Sequence, residues 1–220
     1  WLLDGLSSSK AVWDVVAQQI VFAPMRIGTW YNMDQWDGYP AQRDRIWAGL
    51  RAARNPVVLS GDIHFGGVAR LFENLGTEKG KRIGTELVVG SISSQFTGIG
   101  PSVVKATIEN IPGWDWCNSG ERGYMVVDLS TTKMHAELRV VSTALAPTAT
   151  IRTDFTVDVD AAPPPVDPQP TTTTTSTSTS TTSTTSTTST TSTTTPSTPA
   201  VNAGTATPAP VVVATPGFTG

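Results

Sequence analysis

The spacing of apolar residues predicts a helix and then a buried strand at the start of the chain. Ser7–Ser9 can cap a helix that runs to about Gln19, because serine side chains accept hydrogen bonds from the N–H groups of a first turn. The apolar residues that would share one face of this helix are Val12, Val15 and Val16. The short apolar run Ile20–Phe22 follows and predicts a buried strand.

A second helix and strand follow the segment Trp36–Tyr39. Pro40 suits the first turn of a helix, where its missing N–H is not needed, and Pro56 ends the helical pattern. The apolar stripe of this helix consists of Ile46, Trp47, Leu50 and Ala53. The run Val57–Leu59 then predicts a buried strand. This order of helix, strand, helix and strand indicates a layered α/β sheet.

The patterns further along the folded part are those of strands. The predicted strands are Val68–Phe72, Glu86–Ile92, Tyr124–Leu129, Met134–Val141 and Ile151–Val159. In the last strand, polar residues alternate with apolar or threonine residues, as is typical of a half-buried antiparallel or edge strand. In the fourth strand, His135 falls on the face opposite Met134, so we expect it on a solvated strand face rather than in a site.

Composition divides the chain into a folding part and a tail. Residues 1–160 contain every Trp, both His, the single Cys and every charged residue except Asp167. Residues 171–195 consist only of Thr and Ser, which bury too little apolar surface to offset the loss of chain entropy. We therefore predict one folded domain at 1–160 and a disordered, Pro-flanked Thr/Ser-rich linker or stalk at 161–220.

The tail has the composition of an extended, commonly O-glycosylated spacer on exported proteins. This composition predicts an extracellular or cell-surface location, and a flexible cytosolic linker is the alternative. The last residues, Pro216–Gly220, resemble a sortase sorting signal only in their Thr-Gly ending. Cell-wall attachment through the tail and a plain low-complexity linker therefore both stay open. The sequence contains no transmembrane segment, since no apolar run is long enough to span a bilayer.

Charge and cysteine content narrow the classes of partner. The formal net charge is -3 and no basic stripe is present, so nucleic acid is not expected as a partner and a metal-dependent nuclease is disfavoured. The single cysteine, Cys117, lies beside Trp116 and cannot form an internal disulfide. We expect it to be a packed core residue rather than a reactive thiol.

The motif Gly61-Asp62-Ile63-His64 follows the apolar run Val57–Leu59. Strand ends in layered α/β folds open onto the crevice where ligands bind, and residues two apart on an extended segment point to the same side. Asp62 and His64 are therefore candidates to hold one ion, since a carboxylate and a neutral imidazole suit iron, manganese or zinc. Gly61 adds backbone freedom at the turn. In the structural alternative, Asp62 is a turn residue and His64 is a satisfied core group.

Five segments together resemble the C-terminal half of the PhoD-like alkaline phosphatase/phosphodiesterase family, of the calcineurin-like metallophosphatase superfamily. They are Gln18–Ile20, Trp36–Arg43, Val57–His64, Ser91–Ser94 and Arg122–Tyr124. The combination of Asp-Gly-Tyr-Pro with Gly-Asp-x-His roughly twenty residues later is the most specific part of this resemblance, which covers residues 1–160. It implies an α/β (α+β) fold, namely the C-terminal half of a layered α-β-β-α sandwich.

The resemblance also implies a metal-dependent hydrolase of phosphodiesters or phosphomonoesters, with Fe³⁺ and Ca²⁺ as cofactors. The family motif falls on Asp62 and His64, which it makes metal ligands, and such ions neutralise a phosphate ester and position it for attack. Trp36, Asp37 and Arg43 are candidate substrate-side groups or supports of a metal ligand, because a guanidinium can fork onto a phosphate and an aspartate can orient a histidine. A solvated surface position is the alternative for Arg43.

In the family pattern, the remaining metal ligands precede the position equivalent to Trp1, and Cys117 does not match the family's cysteine. Two ligands rarely hold an iron–calcium cluster, so we expect the isolated chain to be inactive and its parent protein to be a secreted phosphoesterase. The alternative from another class is a non-catalytic cell-surface module displayed on a glycosylated Thr/Ser stalk.

Overall fold

The computed structural model describes residues 1–163, which contain three α-helices and eight strands. The helices are α1 (Leu2–Ser8), α2 (Pro40–Ala52) and α3 (Pro101–Glu109), and a 3-10 turn spans Trp36–Gly38. The strands are β1 (Asp14–Ala17), β2 (Pro56–Ser60), β3 (Gly66–Phe72), β4 (Arg82–Val88), β5 (Trp114–Asn118), β6 (Arg122–Leu129), β7 (Lys133–Val141) and β8 (Ile151–Asp160). Among these residues, no helix has the length and apolar character needed to cross a membrane.

The strands form a five-stranded mixed sheet in the order β1-β2-β4-β3-β5 and a three-stranded antiparallel sheet in the order β6-β7-β8. Strand β2 is parallel to both of its neighbours, β1 and β4, and both of its faces are buried. Val58 packs in the core beneath the helices, and Val57 packs in the core between the two sheets. Helices, mixed sheet and antiparallel sheet thus form three successive layers, which confirms the α/β fold class.

The clearest amphipathic patterns of the sequence are confirmed. Helix α2 begins at Pro40 and buries Trp47 and Leu50. Strand β7 buries every second residue, namely Met134, Ala136, Leu138 and Val140. His135 lies on the other, partly exposed face, as expected. Strand β8 keeps its predicted alternation from Phe155 onward, and a bulge shifts its register against β7 before that point.

The predicted helix from Ser7–Ser9 to Gln19 is wrong. Helix α1 already ends at Ser8, and Val15 and Val16 belong to β1, where Val15 pairs with Val57 of β2. Branched side chains suit an extended strand, and the parallel pairing with β2 outweighs the helical spacing of these valines.

The predicted strand at Ile20–Phe22 is also wrong, although Val21 and Phe22 are buried. The segment is irregular because its N–H groups bond to side chains and not to a neighbouring strand. Val21 N–H donates to Gln35 Oε1 at 2.6 Å, and Phe22 N–H donates to Glu86 Oε1 at 2.8 Å. Buried side chains therefore supply the acceptors that a strand ladder would provide.

The strand predicted at Glu86–Ile92 is displaced, since β4 ends at Val88 and Ile92 is exposed. Helix α3 and strand β5 have no counterpart among the predicted elements. Strand β5 places Cys117 in the core, as expected, and burial raises the pKa of its thiol to about 12. The predicted stalk lies outside the described residues apart from 161–163.

Candidate metal-binding site

Asp62 and His64 line one polar cavity at the end of β2. The cavity has a volume of about 280 Å³, and its lining residues are Asn32, Asp34, Gln35, Asp62, Ile63, His64, Gln95, Phe96 and Thr97. The loop that follows β2 and carries Asp62 and His64 is anchored at its start, because Gly61 N–H donates to the carbonyl of Gln19 at 3.0 Å. The parallel strands β1, β2 and β4 deliver this loop to the edge of the sheet at which ligands bind in layered α/β folds.

The backbone of the motif is a tight turn and not the predicted extended segment. Asp62 has a φ of 69° and His64 a φ of 65°, so both lie in the left-handed region, where a side chain is strained. Ile63 N–H closes the turn by donating to the Gly61 carbonyl at 2.8 Å. A Cβ atom on Gly61 would lie 3.3 Å from Val89 Cγ1, so close packing favours glycine here, and the backbone freedom we predicted is not what the position uses.

Gln35 orients the Asp62 carboxylate. Only 2% of Gln35 is exposed, and its Nε2 donates to Asp62 Oδ2 at 2.9 Å. Its Oε1 accepts the N–H of Val21, which fixes which end of the amide faces Asp62. No pattern in the sequence distinguishes Gln35, because its role depends on a segment folded back over it.

The His64 ring has one nitrogen available for a metal. Its Nδ1 lies 3.3 Å from the backbone carbonyl oxygen of Gln95. A carbonyl oxygen only accepts hydrogen bonds, so this contact places the ring proton on Nδ1 and leaves the lone pair on Nε2. This is the arrangement in which metal-binding histidines are commonly held.

Trp36, Asp37 and Arg43 do not line the polar cavity. Asp37 and Arg43 form an ion pair whose side chains are 7% and 13% exposed, and the other oxygen of Asp37 accepts the N–H of Met25 at 2.9 Å. Trp36 Nε1 donates to Gln18 Oε1 at 2.9 Å. These contacts hold the chain around residues 18–38 in place behind the cavity, which favours a supporting role over contact with substrate.

Glu86 of β4 is the buried anchor of the same segment. It is completely buried, and its carboxylate accepts hydrogen bonds from the N–H groups of Phe22 and Ala23 and from the Ser60 hydroxyl. Burial raises the pKa of Glu86, while these hydrogen bonds and the positive charge of Arg43 oppose that rise. A glutamate inside an apolar strand was the sequence signal that could have identified it.

The donors of the cavity fit a metal ion in kind but not in number. The Asp62 carboxylate and the Nε2 atom of His64 are ligand types that transition metals accept in proteins. Within residues 1–163, no three His, Cys, Asp or Glu side chains converge in a way that could hold a metal. The two residues therefore fit as part of a coordination shell that further donors complete.

The comparisons with known proteins place this layered α/β chain among the phosphatases. The family model of PhoD-like phosphatase matches residues 1–138, so the chain belongs to the PhoD-like phosphatase family. Alkaline phosphatase D of Bacillus subtilis (strain 168) is 35% identical over 160 residues. That match covers 70% of this chain but only 27% of the relative.

A solved structure described as "Structure of PhoD" has the same fold. It superposes with a TM-score of 0.65 at 32% identity and covers 73% of this chain and 32% of the solved chain. The family resemblance inferred from the sequence motifs is therefore confirmed, and the chain spans about a third or less of each of these relatives.

Proposed function

We propose that this chain is part of a metal-dependent phosphoesterase that hydrolyses phosphate monoesters or diesters. The observation that carries the proposal is the meeting of Asp62 and His64 in one polar cavity at a strand end, within a chain of the PhoD-like phosphatase family. In the reaction, the oxygen of water forms a bond to phosphorus, the bond from phosphorus to the ester oxygen breaks, and the departing alcohol takes up a proton.

Asp62 and His64 Nε2 would hold the metal ions, which the family resemblance suggests are Fe³⁺ and Ca²⁺. Carboxylate oxygen suits both ions, and imidazole nitrogen suits iron. When bound, such ions supply positive charge that neutralises the phosphate ester and activates water. The chain contributes the orientation, since Gln35 fixes the Asp62 carboxylate and the Gln95 carbonyl fixes the His64 ring.

Trp36, Asp37 and Arg43 would act as positioning residues in this enzyme. Asp37 and Arg43 neutralise each other behind the cavity, and the Trp36 indole is engaged with Gln18. Their effect on turnover would be indirect, through the segment that carries Gln35 towards Asp62.

The isolated chain would be inactive, because two protein ligands are too few to retain such ions. We also propose that the parent protein is secreted or displayed at the cell surface, since residues 171–195 have the composition of an exported stalk. Detection of the parent only inside washed, lysed cells would contradict that location, and detection only in the culture medium would exclude wall attachment.

The test uses the full-length parent protein and its Asp62→Asn and His64→Gln variants. Metal content after dialysis and turnover of bis-p-nitrophenyl phosphate should both fall, with metal affinity reduced roughly 100-fold. His135→Gln is the matched control, because His135 lies on the exposed face of β7. Unchanged metal content in both variants would contradict the assignment of Asp62 and His64 as metal ligands. A folded parent that binds metal but turns over no phosphate ester would favour the non-catalytic surface module.

A further inference from the structure

A second cavity lies beside the polar one and is lined almost entirely by apolar side chains. Its volume is about 370 Å³. Asn32, Ile63 and Phe96 line both cavities, so the two spaces share a wall. The two cavities therefore adjoin, and a bound molecule would reach from one to the other over these three residues.

The motif turn forms the partition between the two cavities. Asp62 and His64 line only the polar side, whereas Ile63 between them also lines the apolar side and packs against the main core. The turn, with left-handed backbone at both flanking residues, thus divides the side chains in the same way as an extended segment would. A group held at Asp62 and His64 is thus adjacent to an apolar surface.

The floor of the apolar cavity belongs to the folded core. Met25 and Phe65 are buried, and the Phe65 ring contacts the Phe96 ring at a centroid distance of 6.1 Å. Val104 and Ile108 of α3 form the adjacent wall. The cavity is therefore a concave feature built on well-packed residues and not a flat exposed face.

The lining contains no charged side chain among the described residues, and its two polar members are Asn32 and Thr107. A phosphate placed there would lose its hydration without gaining a cation or several donors, which is costly. Hydrocarbon, in contrast, gains free energy by leaving water for such a surface. A cavity of about 150 Å³ is enough to bind benzene, so this one accommodates an aromatic ring or a medium-length alkyl chain.

We infer that the apolar cavity binds the alcohol portion of the phosphate ester, so that the enzyme prefers esters of apolar alcohols. This inference rests on the proposed phosphoesterase function and narrows its substrate class. The phosphate lies at the Asp62–His64 cavity and the alkyl or aryl group of the departing alcohol lies against Ile63, Phe65 and Phe96. Hydrolysis then releases an apolar alcohol and inorganic phosphate from a monoester.

The test compares the binding of ethyl, butyl, hexyl and octyl phosphate to the metal-loaded full-length parent by titration calorimetry, below the micelle concentration of each. Affinity should rise with chain length by up to about fourfold per CH₂ group that enters the cavity. Ile99→Asp places a carboxylate at the mouth and should flatten the dependence of affinity on chain length. Ile99 is 54% exposed, so this variant should fold.

Ile92→Asp is the matched control, because Ile92 is exposed in the same part of the chain and does not line the cavity. It should leave the chain-length dependence intact. A flat series in the unmodified protein overturns the inference while leaving the phosphoesterase proposal in place. An equal rise of affinity with chain length in the unmodified protein, in Ile99→Asp and in Ile92→Asp also overturns the inference, because the alkyl group then binds elsewhere.

A second measurement separates the two proposals if no ester binds. Addition of 1-octanol should change the fluorescence of Trp30, which lines the apolar cavity, and Ile99→Asp should abolish that change. Octanol binding without any ester binding or turnover would remove the phosphoesterase function, and the substrate assignment with it, while leaving an apolar site. If neither ester binding nor the octanol-induced fluorescence change is seen, the proposal that the cavity is a binding site is wrong.

Discussion

The chain around residues 18–38 and the sheet β6–β8 satisfy their backbone hydrogen bonds by different means. In the sheet, neighbouring strands pair along nearly their whole length. Strands β6 and β7 pair from Arg122 opposite Val141 to Leu129 opposite Met134, and β7 pairs with β8 over all of its residues. Around residues 18–38, buried side chains accept the backbone N–H groups. Loss of one side chain there removes backbone partners as well, whereas loss of one side chain in the sheet removes only its own contacts.

The largest expected effect is at Glu86, which serves three donors from inside the core. Glu86→Leu leaves two N–H groups and a hydroxyl buried without acceptors, so the free energy of unfolding should fall by roughly 3–5 kcal/mol. Urea denaturation of the chain measures the change. Glu137→Leu in β7 is the control and should change the free energy of unfolding far less, since its ion pair with Arg139 is partly exposed. Equal losses in both variants would break the comparison.

Asp37→Asn should have the next largest effect. It removes the charge that balances Arg43 in a buried pair and weakens the bond from Met25 N–H. We expect a loss of about 2–3 kcal/mol in the free energy of unfolding. Asp158→Asn on the exposed side of β8 is the control and should change the free energy of unfolding far less, because its ion pair with His135 is exposed to solvent. A loss near zero for Asp37→Asn would show that the ion pair does not stabilise this segment.

Gln35→Met sharpens the comparison, because Gln35 contacts both the buried segment and the candidate metal ligand Asp62. The Val21 N–H loses its acceptor, which should cost about 1–3 kcal/mol in unfolding free energy, and Asp62 loses its orienting donor. Metal affinity of the full-length parent should fall about 10–100-fold. Gln42→Met on the surface of α2 is the matched control, and it should change neither quantity. Reduced stability with unchanged metal affinity would mean that Gln35 does not position Asp62.

The smallest effect should come from His135→Gln and should depend on pH. A hydrogen bond to Asp158 raises the pKa of His135 above its ordinary 6.5 and, in turn, lowers the pKa of Asp158 below its ordinary 3.8. A raised histidine pKa stabilises the fold fully below about pH 6.5, and this contribution disappears as the pH rises through the folded-state value. The contribution of ionised Asp158 to stability disappears as the pH falls through its lowered pKa.

Other charges also face His135, namely Glu137 and Lys133 on β7, Asp158 on β8 and Asp128 on β6. The melting temperatures of the unmodified chain and of His135→Gln should therefore differ near pH 5 and converge near pH 9. A difference that grows as the pH rises would contradict the assignment. Both partners are exposed to solvent, so high salt should reduce the difference.

The same contrast explains how much of the fold the sequence could predict. Helix α2 and strands β7 and β8 bury one face each, and that alternation is visible in the order of their residues. The acceptors of Phe22 and Ala23 belong to Glu86, more than sixty positions away, so no local pattern reveals them. Strand β5 escaped prediction because a bulge at Asp115 within it sends Trp114 and Trp116 into two different cores.

The sequence predicted which two residues share the candidate site, but not the backbone conformation or the contacts that hold them there. Asp62 and His64 share a cavity as expected, and their role as metal ligands stays a prediction. The expectation of an extended segment was wrong, because Ile63 N–H bonds back to the Gly61 carbonyl and closes a tight turn. Gln35 could not be predicted, since only the folded chain brings it to Asp62.

The left-handed backbone at His64 also sets stability against activity. Glycine adopts such a backbone without strain, so His64→Gly should raise the melting temperature slightly, by an amount equivalent to about 0.5–1 kcal/mol after the greater entropy of the unfolded chain is counted. Asp62→Gly should not, because it leaves the buried Nε2 group of Gln35 without its acceptor. Each substitution would also delete a proposed ligand. Directed evolution of this chain for heat resistance alone should therefore drift towards glycine at position 64, and only a screen that also demands metal binding would retain the histidine.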